Sequence, residues 1–120
     1  MGAIIQVLLD SKQGPLPLKG QFQPEADLVP SLYFTGTAQS SAPGLTLEVQ
    51  VSIFDQDGKS AGSTSGEVFS NEAKQHKTLL ALPINQKPLS FGQTYTFEIA
   101  VAGPTTISDA NDFYSLTILY

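Results

Sequence analysis

The residues best able to bind or react sit in three places along this 120-residue chain. Asp109, Asn111 and Asp112 stand together in the run SDAND, just ahead of Phe113 and Tyr114. Carboxylate and amide oxygens suit sugar hydroxyls or a hard cation, and an aromatic ring beside them can stack on a sugar. The plainer reading is a turn whose Asx side chains cap their own backbone. Asp109, Asn111, Asp112 and Tyr114 are the candidate ligand-binding residues of the sequence.

The second place is Asp55 and Asp57 in FDQDGK. The D-x-D-G run resembles the opening of a calcium loop, which needs glycine at position six and glutamate at position twelve. Those positions hold Ser60 and Gly66, so the motif fails. The run is expected to be a two-residue hairpin turn in which Asp57-Gly58 supplies the positive φ.

The third place is His76, the only histidine, flanked by lysines in KQHK. A nucleophile triad needs a serine and a carboxylate beside it, and no GxSxG run exists to supply the serine. One histidine is too few for a histidine-built metal site, so no metal ligands and no catalytic residues are expected. Glu48 and Glu98 are the remaining acids on strong strands. As a catalytic pair they would have to share a cleft; solvated faces on separate sheets are the simpler expectation. No glycine-rich phosphate loop is present, and no cofactor is expected.

Composition narrows the partners. The net charge is −5, charged residues make up 14%, and all six basic residues are lysines. Phosphate-backbone recognition needs a cationic footprint, so neither nucleic acid nor an anionic membrane surface is an expected partner. Cysteine is absent, which excludes disulfides and thiolate chemistry. The N-terminal run AIIQVLL lacks a basic flank and a cleavage site and is too short to span a bilayer. The chain is therefore expected to be cytoplasmic as made, unless it is a trimmed mature form.

The elements that must position these residues are strands. Residues 45–54 alternate Leu45, Leu47, Val49, Val51 and Ile53 against Thr46, Glu48, Gln50 and Ser52, the period of a half-buried strand. Residues 93–101 repeat it with Tyr95, Phe97, Ile99 and Val101 inward. Further strands are expected at 4–9, 31–38, 78–84 and 113–120, an edge strand near 18–22 among prolines, and two short weak strands at 59–63 and 66–70. Gly36 marks a bulge or a close backbone approach. Residues 71–77 (NEAKQHK) alone favour a helical turn or two. Residues 102–112 are expected to be a polar loop.

Eight or nine short strands with almost no helix imply one all-β domain over residues 1–120, a two-sheet antiparallel β-sandwich. A jelly roll is favoured over an immunoglobulin-like sandwich, because both terminal segments read as full strands able to lie side by side and the Cys and Trp marks of immunoglobulin domains are missing. Residues 4–9 are apolar on both faces; burial in the core is the favoured explanation, a subunit contact the other. The leading functional expectation is a non-enzymatic structural module that forms a homo-oligomer through its apolar terminal strands. A carbohydrate- or small-ligand-binding module using the 109–112 loop is the alternative, and an enzyme is the weakest of the three.

Overall fold

The alternating strands assemble into two antiparallel sheets packed face to face. The computed structural model describes residues 5–25, 31–74, 76–81, 89–101, 106–109 and 111–119. The strands are β1 (Ile5–Gln13), β2 (Leu18–Phe22), β3 (Ser31–Ser40), β4 (Leu45–Phe54), β5 (Ser60–Ser70), β6 (Lys77–Ala81), β7 (Tyr95–Val101), β8 (Thr106–Ile107) and β9 (Phe113–Leu119). One sheet runs β1-β9-β3-β6, with β8 attached to β3; the other runs β2-β7-β4-β5. If the two-residue β8 is set aside, this is the strand order of a jelly roll, in which the chain folds as a doubled hairpin and consecutive strands alternate between sheets except at the central β4–β5 hairpin. The side-by-side terminal strands are found: Ile5 pairs with Leu119 and Gln13 with Phe113.

The period-two pattern decides which residues form the core. Leu47, Val49, Val51 and Ile53 from β4 meet Tyr95, Phe97 and Ile99 from β7, and these face Phe34, Tyr114, Leu116 and Ile118 from the other sheet. A one-residue slip of β4 would turn its aliphatic side chains to water, at about 1.5–3 kcal/mol each. Their register is fixed by β5 on one side and β7 on the other.

The strand β1 departs from the expected burial. Ile5 and Val7 are 64% and 59% exposed. The physical reason is a bulge: Val7 pairs with Thr117 and Leu9 with Leu116, so an extra residue lies between them on β1. The bulge breaks the alternation, so Leu8 and Leu9 both pack against the core while Ile5 and Val7 face outward. Residue 4 lies outside the described residues.

Other expectations change too. Residues 60–70 form one continuous strand, because β4 pairs along the whole of β5 and carries it through Gly62 and Gly66. Residues 71–74 are bends and turns, and no helix occurs among the described residues. Seven residues with few apolar anchors cannot repay helix nucleation. The loop 102–112 contains β8, which pairs Gln39 with Ile107 and Ser40 with Thr106. The expected strand at 78–84 is β6; residues 82–84 lie outside the described residues, as does Tyr120. Among the described residues no helix is long and apolar enough to cross a membrane, which says nothing of strands.

The 55–58 turn is a three-residue loop, not a two-residue one. Asp55 N–H donates to the Lys59 carbonyl at 2.9 Å, Gly58 N–H donates to the Asp55 carbonyl at 3.1 Å, and Gly58 has φ of +80°. That is a type I turn closed by a left-handed glycine, the commonest three-residue hairpin. Asp55 Oδ1 accepts from the N–H groups of Asp57 and Lys59, both at 2.9 Å. The carboxylate is thus occupied with its own turn.

Candidate functional site

The topology brings His76, Asp109 and Asp112 together at one end of the sandwich. His76 immediately precedes β6, and Asp109 and Asp112 lie between β8 and β9. Both β6 and β9 pair with β3, so β3 is the platform that sets their spacing. Its end supplies Thr37 and Gln39, whose side chains are buried although they are polar. The alternation that leaves Tyr33 and Thr35 exposed stops at this point, where β3 is flanked by β8 and the 109–112 loop.

Asp112 is completely buried, and its bonds account for that. The Thr37 hydroxyl donates to Asp112 Oδ1 at 2.8 Å, and Asp109 N–H donates to Oδ2 at 2.8 Å. Thr37 Oγ1 in turn accepts from Phe113 N–H at 3.2 Å, which fixes the direction of the hydroxyl proton. His76 Nδ1 lies 2.6 Å from Asp112 Oδ1. A buried carboxylate with this many donors is held in one orientation.

Asp109 is the exposed member, with 44% of its side chain accessible. Its Oδ1 accepts from Asn111 N–H at 2.8 Å, and its Oδ2 accepts from the Gln39 amide. His76 Nε2 lies 4.0 Å from Asp109 Oδ2. One ligand atom from each of His76, Asp109 and Asp112 lies within 4.8 Å of the others. Asn111 is exposed and uses its backbone in the turn.

The electrostatics follow the geometry. The hydrogen bond with Asp112 raises the His76 pKa above its ordinary 6.5; partial desolvation opposes this, and the charges of Asp112 and Asp109 reinforce it. The Asn111 N–H holds the Asp109 carboxyl below its ordinary value, with smaller help from Gln39 and His76. Burial pushes the Tyr114 hydroxyl up to about 12, and the two nearby carboxylates add to the shift.

Tyr114 does not present a ring to solvent. It is fully buried and stacked on Phe34, with ring centroids 6.3 Å apart and planes 17° from parallel. A sugar ring cannot reach it. Its hydroxyl lies beside Ser108, with no hydrogen-bond partner among the described residues. Phe113 points outward and is 45% exposed.

Sequence reasoning placed Asp109, Asn111 and Asp112 in one loop but missed His76, Thr37 and Gln39 as their neighbours. The separations 37, 76 and 109 carry no local signal; only the pairing of β6 and β9 with β3 joins them. Glu48 and Glu98 lie on one sheet, contrary to expectation, and Glu98 stands opposite Ser52 rather than Glu48. The residue opposite Glu48 is Glu67 of β5, in a segment too rich in Gly and Ser to read as a strong strand. Glu98 is instead 3.5 Å from Lys19 on β2. A polar cleft of about 260 Å³ lies at the 55–58 turn, lined by Asp55, Asp57, Ser90 and Tyr95 among others.

No protein-family model matches this chain, and no curated protein matches it. Its fold is similar to part of the infectious bursal disease virus structures. A Gt strain structure superposes with a TM-score of 0.54 at 14% identity, over 98% of this chain and 31% of that one. A VP2 subviral particle structure gives 0.51 at 15% identity, over 98% and 32%. The chain thus spans about a third of the length of the solved chains it matches. At such identity the likeness concerns the β-sandwich alone.

Proposed function

We propose that this protein is a non-enzymatic assembly module that forms a homo-oligomer through the outer face and free edge of its terminal strands. One observation carries the reading: Ile5 and Val7, 64% and 59% exposed, lie on a strand with only one sheet neighbour among the described residues. The register sets Ile5 beside Leu119, and Val7 beside Thr117 and then Tyr33, which is 43% exposed. These side chains make an outward apolar patch across β1, β9 and β3, interrupted by Thr117. Phe113 lies on the same face of β9, beyond Ser115, about 20 Å from Leu119 at the ordinary strand rise.

The first half of β1, IQVLL, carries no charge and no proline. Natural edges usually carry a lysine, a proline or an inward charge that blocks pairing. An edge of this kind accepts the same edge of a second copy in antiparallel register, which gives a closed two-fold contact. The chemistry argues in the same direction. A triad would place a hydroxyl on His76 Nε2, whereas the group facing that nitrogen is the Asp109 carboxylate at 4.0 Å.

Light scattering on the eluting protein at micromolar concentration tests the proposal. An oligomeric mass is expected for the wild type, and a monomer for Val7→Asp with an unchanged melting temperature. A wild-type monomer at every concentration would overturn it.

Small-ligand binding at the 109–112 loop is the second reading, favoured by the accessible Asp109 and Asn111 beside the half-exposed Phe113. A thermal-shift screen with simple sugars tests it; no shift with any sugar removes carbohydrate from consideration.

A further inference from the structure

The cluster at the end of the sandwich has a composition that an assembly surface does not need. It combines one imidazole with two carboxylates drawn from separate segments of chain, each able to offer a ligand atom within 4.8 Å of the others. We propose that His76, Asp109 and Asp112 form a three-ligand site for a divalent metal ion of the zinc class.

Three features support this. The first is the ligand set. Imidazole nitrogen with carboxylate oxygen suits zinc and its neighbours, whereas calcium and magnesium take oxygen alone. Ligand atoms about 2.0–2.2 Å from an ion in tetrahedral array stand roughly 3.4 Å apart. His76 Nδ1 and Asp112 Oδ1, at 2.6 Å, stand closer than that and would part around an ion, and the three ligand atoms all lie within 4.8 Å of one another. The adjustment falls on His76, whose side chain is 40% exposed.

The second feature is the shell behind the carboxylates. Asp112 is oriented by Thr37, and Asp109 by Gln39, both buried donors on β3. Outer donors of this kind fix a ligand before the ion arrives. Asp109 remains open to solvent, which leaves an entry path.

The third is the Tyr114 hydroxyl. It lies two residues beyond Asp112, on the inward face of β9, within the field of both carboxylates. It is buried and has no hydrogen-bond partner among the described residues. Buried hydroxyls are nearly always paired; Ser108 stands beside this one, and an oxygen held at the cluster would add an acceptor.

His76 is the only histidine, so its ring resonances report on the site alone. Untagged protein stripped with EDTA is titrated with zinc chloride and followed by calorimetry and by the His76 ring signals in NMR. One zinc per chain is expected, with a large shift of the His76 ring. Affinity should fall at least about 10–100-fold in His76→Ala and in Asp109→Ala; Asp109 is accessible, so its variant retains the fold. Cobalt in place of zinc should give visible absorption of a four-coordinate site. No shift of the His76 ring under excess zinc would overturn the site and leave a His–Asp latch only. Unchanged affinity in both variants would move the metal elsewhere, and calcium binding without zinc binding would refute the metal class. None of these outcomes depends on the oligomeric state.

Discussion

Glu48 and Glu67 stand directly opposite each other on β4 and β5, with a hydrogen bond between their carboxyl groups. That bond, with partial burial and the charge of Glu67, raises the Glu48 pKa above its ordinary 4.5. The folded state therefore binds this proton more tightly than the unfolded chain does. The stability it contributes is complete below pH 4.5 and is lost as pH rises through the raised value. At pH 7 two like charges face each other, which opposes strand pairing. Glu67→Gln is expected to raise stability at pH 7 by less than about 1 kcal/mol, and to bring no gain at pH 4. Urea unfolding at the two pH values checks both statements.

Gly36 admits no side chain. A Cβ there would lie 2.7 Å from Phe34 Cζ and 2.7 Å from Tyr114 Cδ1. Both belong to stacked rings packed in the core, so neither can yield. Gly36→Ala is expected to destabilise by about 1–3 kcal/mol, as overpacking does. Gly44→Ala meets no atom but must adopt φ of +77°, for a loss of about 1–2 kcal/mol. The two can be told apart by tryptic susceptibility: the first loosens the core, the second only a hairpin end.

The two faces of the β1-β9-β3-β6 sheet should respond oppositely to truncation. Leu116 is fully buried, and Leu116→Ala is expected to cost about 2–5 kcal/mol. Val7 is 59% exposed, and Val7→Ala should stay within about 0.5 kcal/mol in the dissociated protein. Denaturation at a low chain concentration, where association does not contribute, provides the comparison.

Within the end cluster, Asp112 is the structural member and Asp109 the accessible one. Asp112→Ala leaves the Thr37 hydroxyl and the Asp109 N–H without their acceptor. Each unsatisfied buried group costs about 1–3 kcal/mol. Asp109→Ala removes a turn contact, the Gln39 bond and the 4.0 Å contact with His76, and is expected to cost less than about 1.5 kcal/mol. Melting in EDTA buffer separates the two.

The contrast between β4 and β1 shows what could be read from the chain itself. In β4 the alternation is clean over nine residues, so strand, face and register follow from side-chain period alone. In β1 the same aliphatic residues are present, but one extra residue at the bulge reverses the facing of Leu9. A bulge is set by the partner strand 100 residues away, and no local pattern encodes it. The end cluster is similar. Asp109 and Asp112 are close in sequence and were readable as candidate ligands. His76 lies among lysines in a segment that reads as a solvated turn, and only the pairing of β6 with β3 carries it to Asp112. The continuous β5 was hidden for a related reason: Gly62 and Gly66 have weak strand preference, and pairing with β4 overrides it.

The strand β9 lies between β1 and β3, and among the described residues β1 has no other neighbour in its sheet. The pairing of Ile5 with Leu119 therefore sets an order of events during synthesis. By the time Leu119 is made, Ile5 has been off the ribosomal active site for the time taken to add 114 more residues (119 − 5), roughly 6–23 s at ordinary elongation rates. Through that interval Leu8 and Leu9 have no strand to cover them, and β3 lacks one of its two flanking strands. A chain lacking β9 has an unfilled slot between β1 and β3, so deletion of residues 113–119 is expected to give an unfolded chain rather than a smaller stable domain.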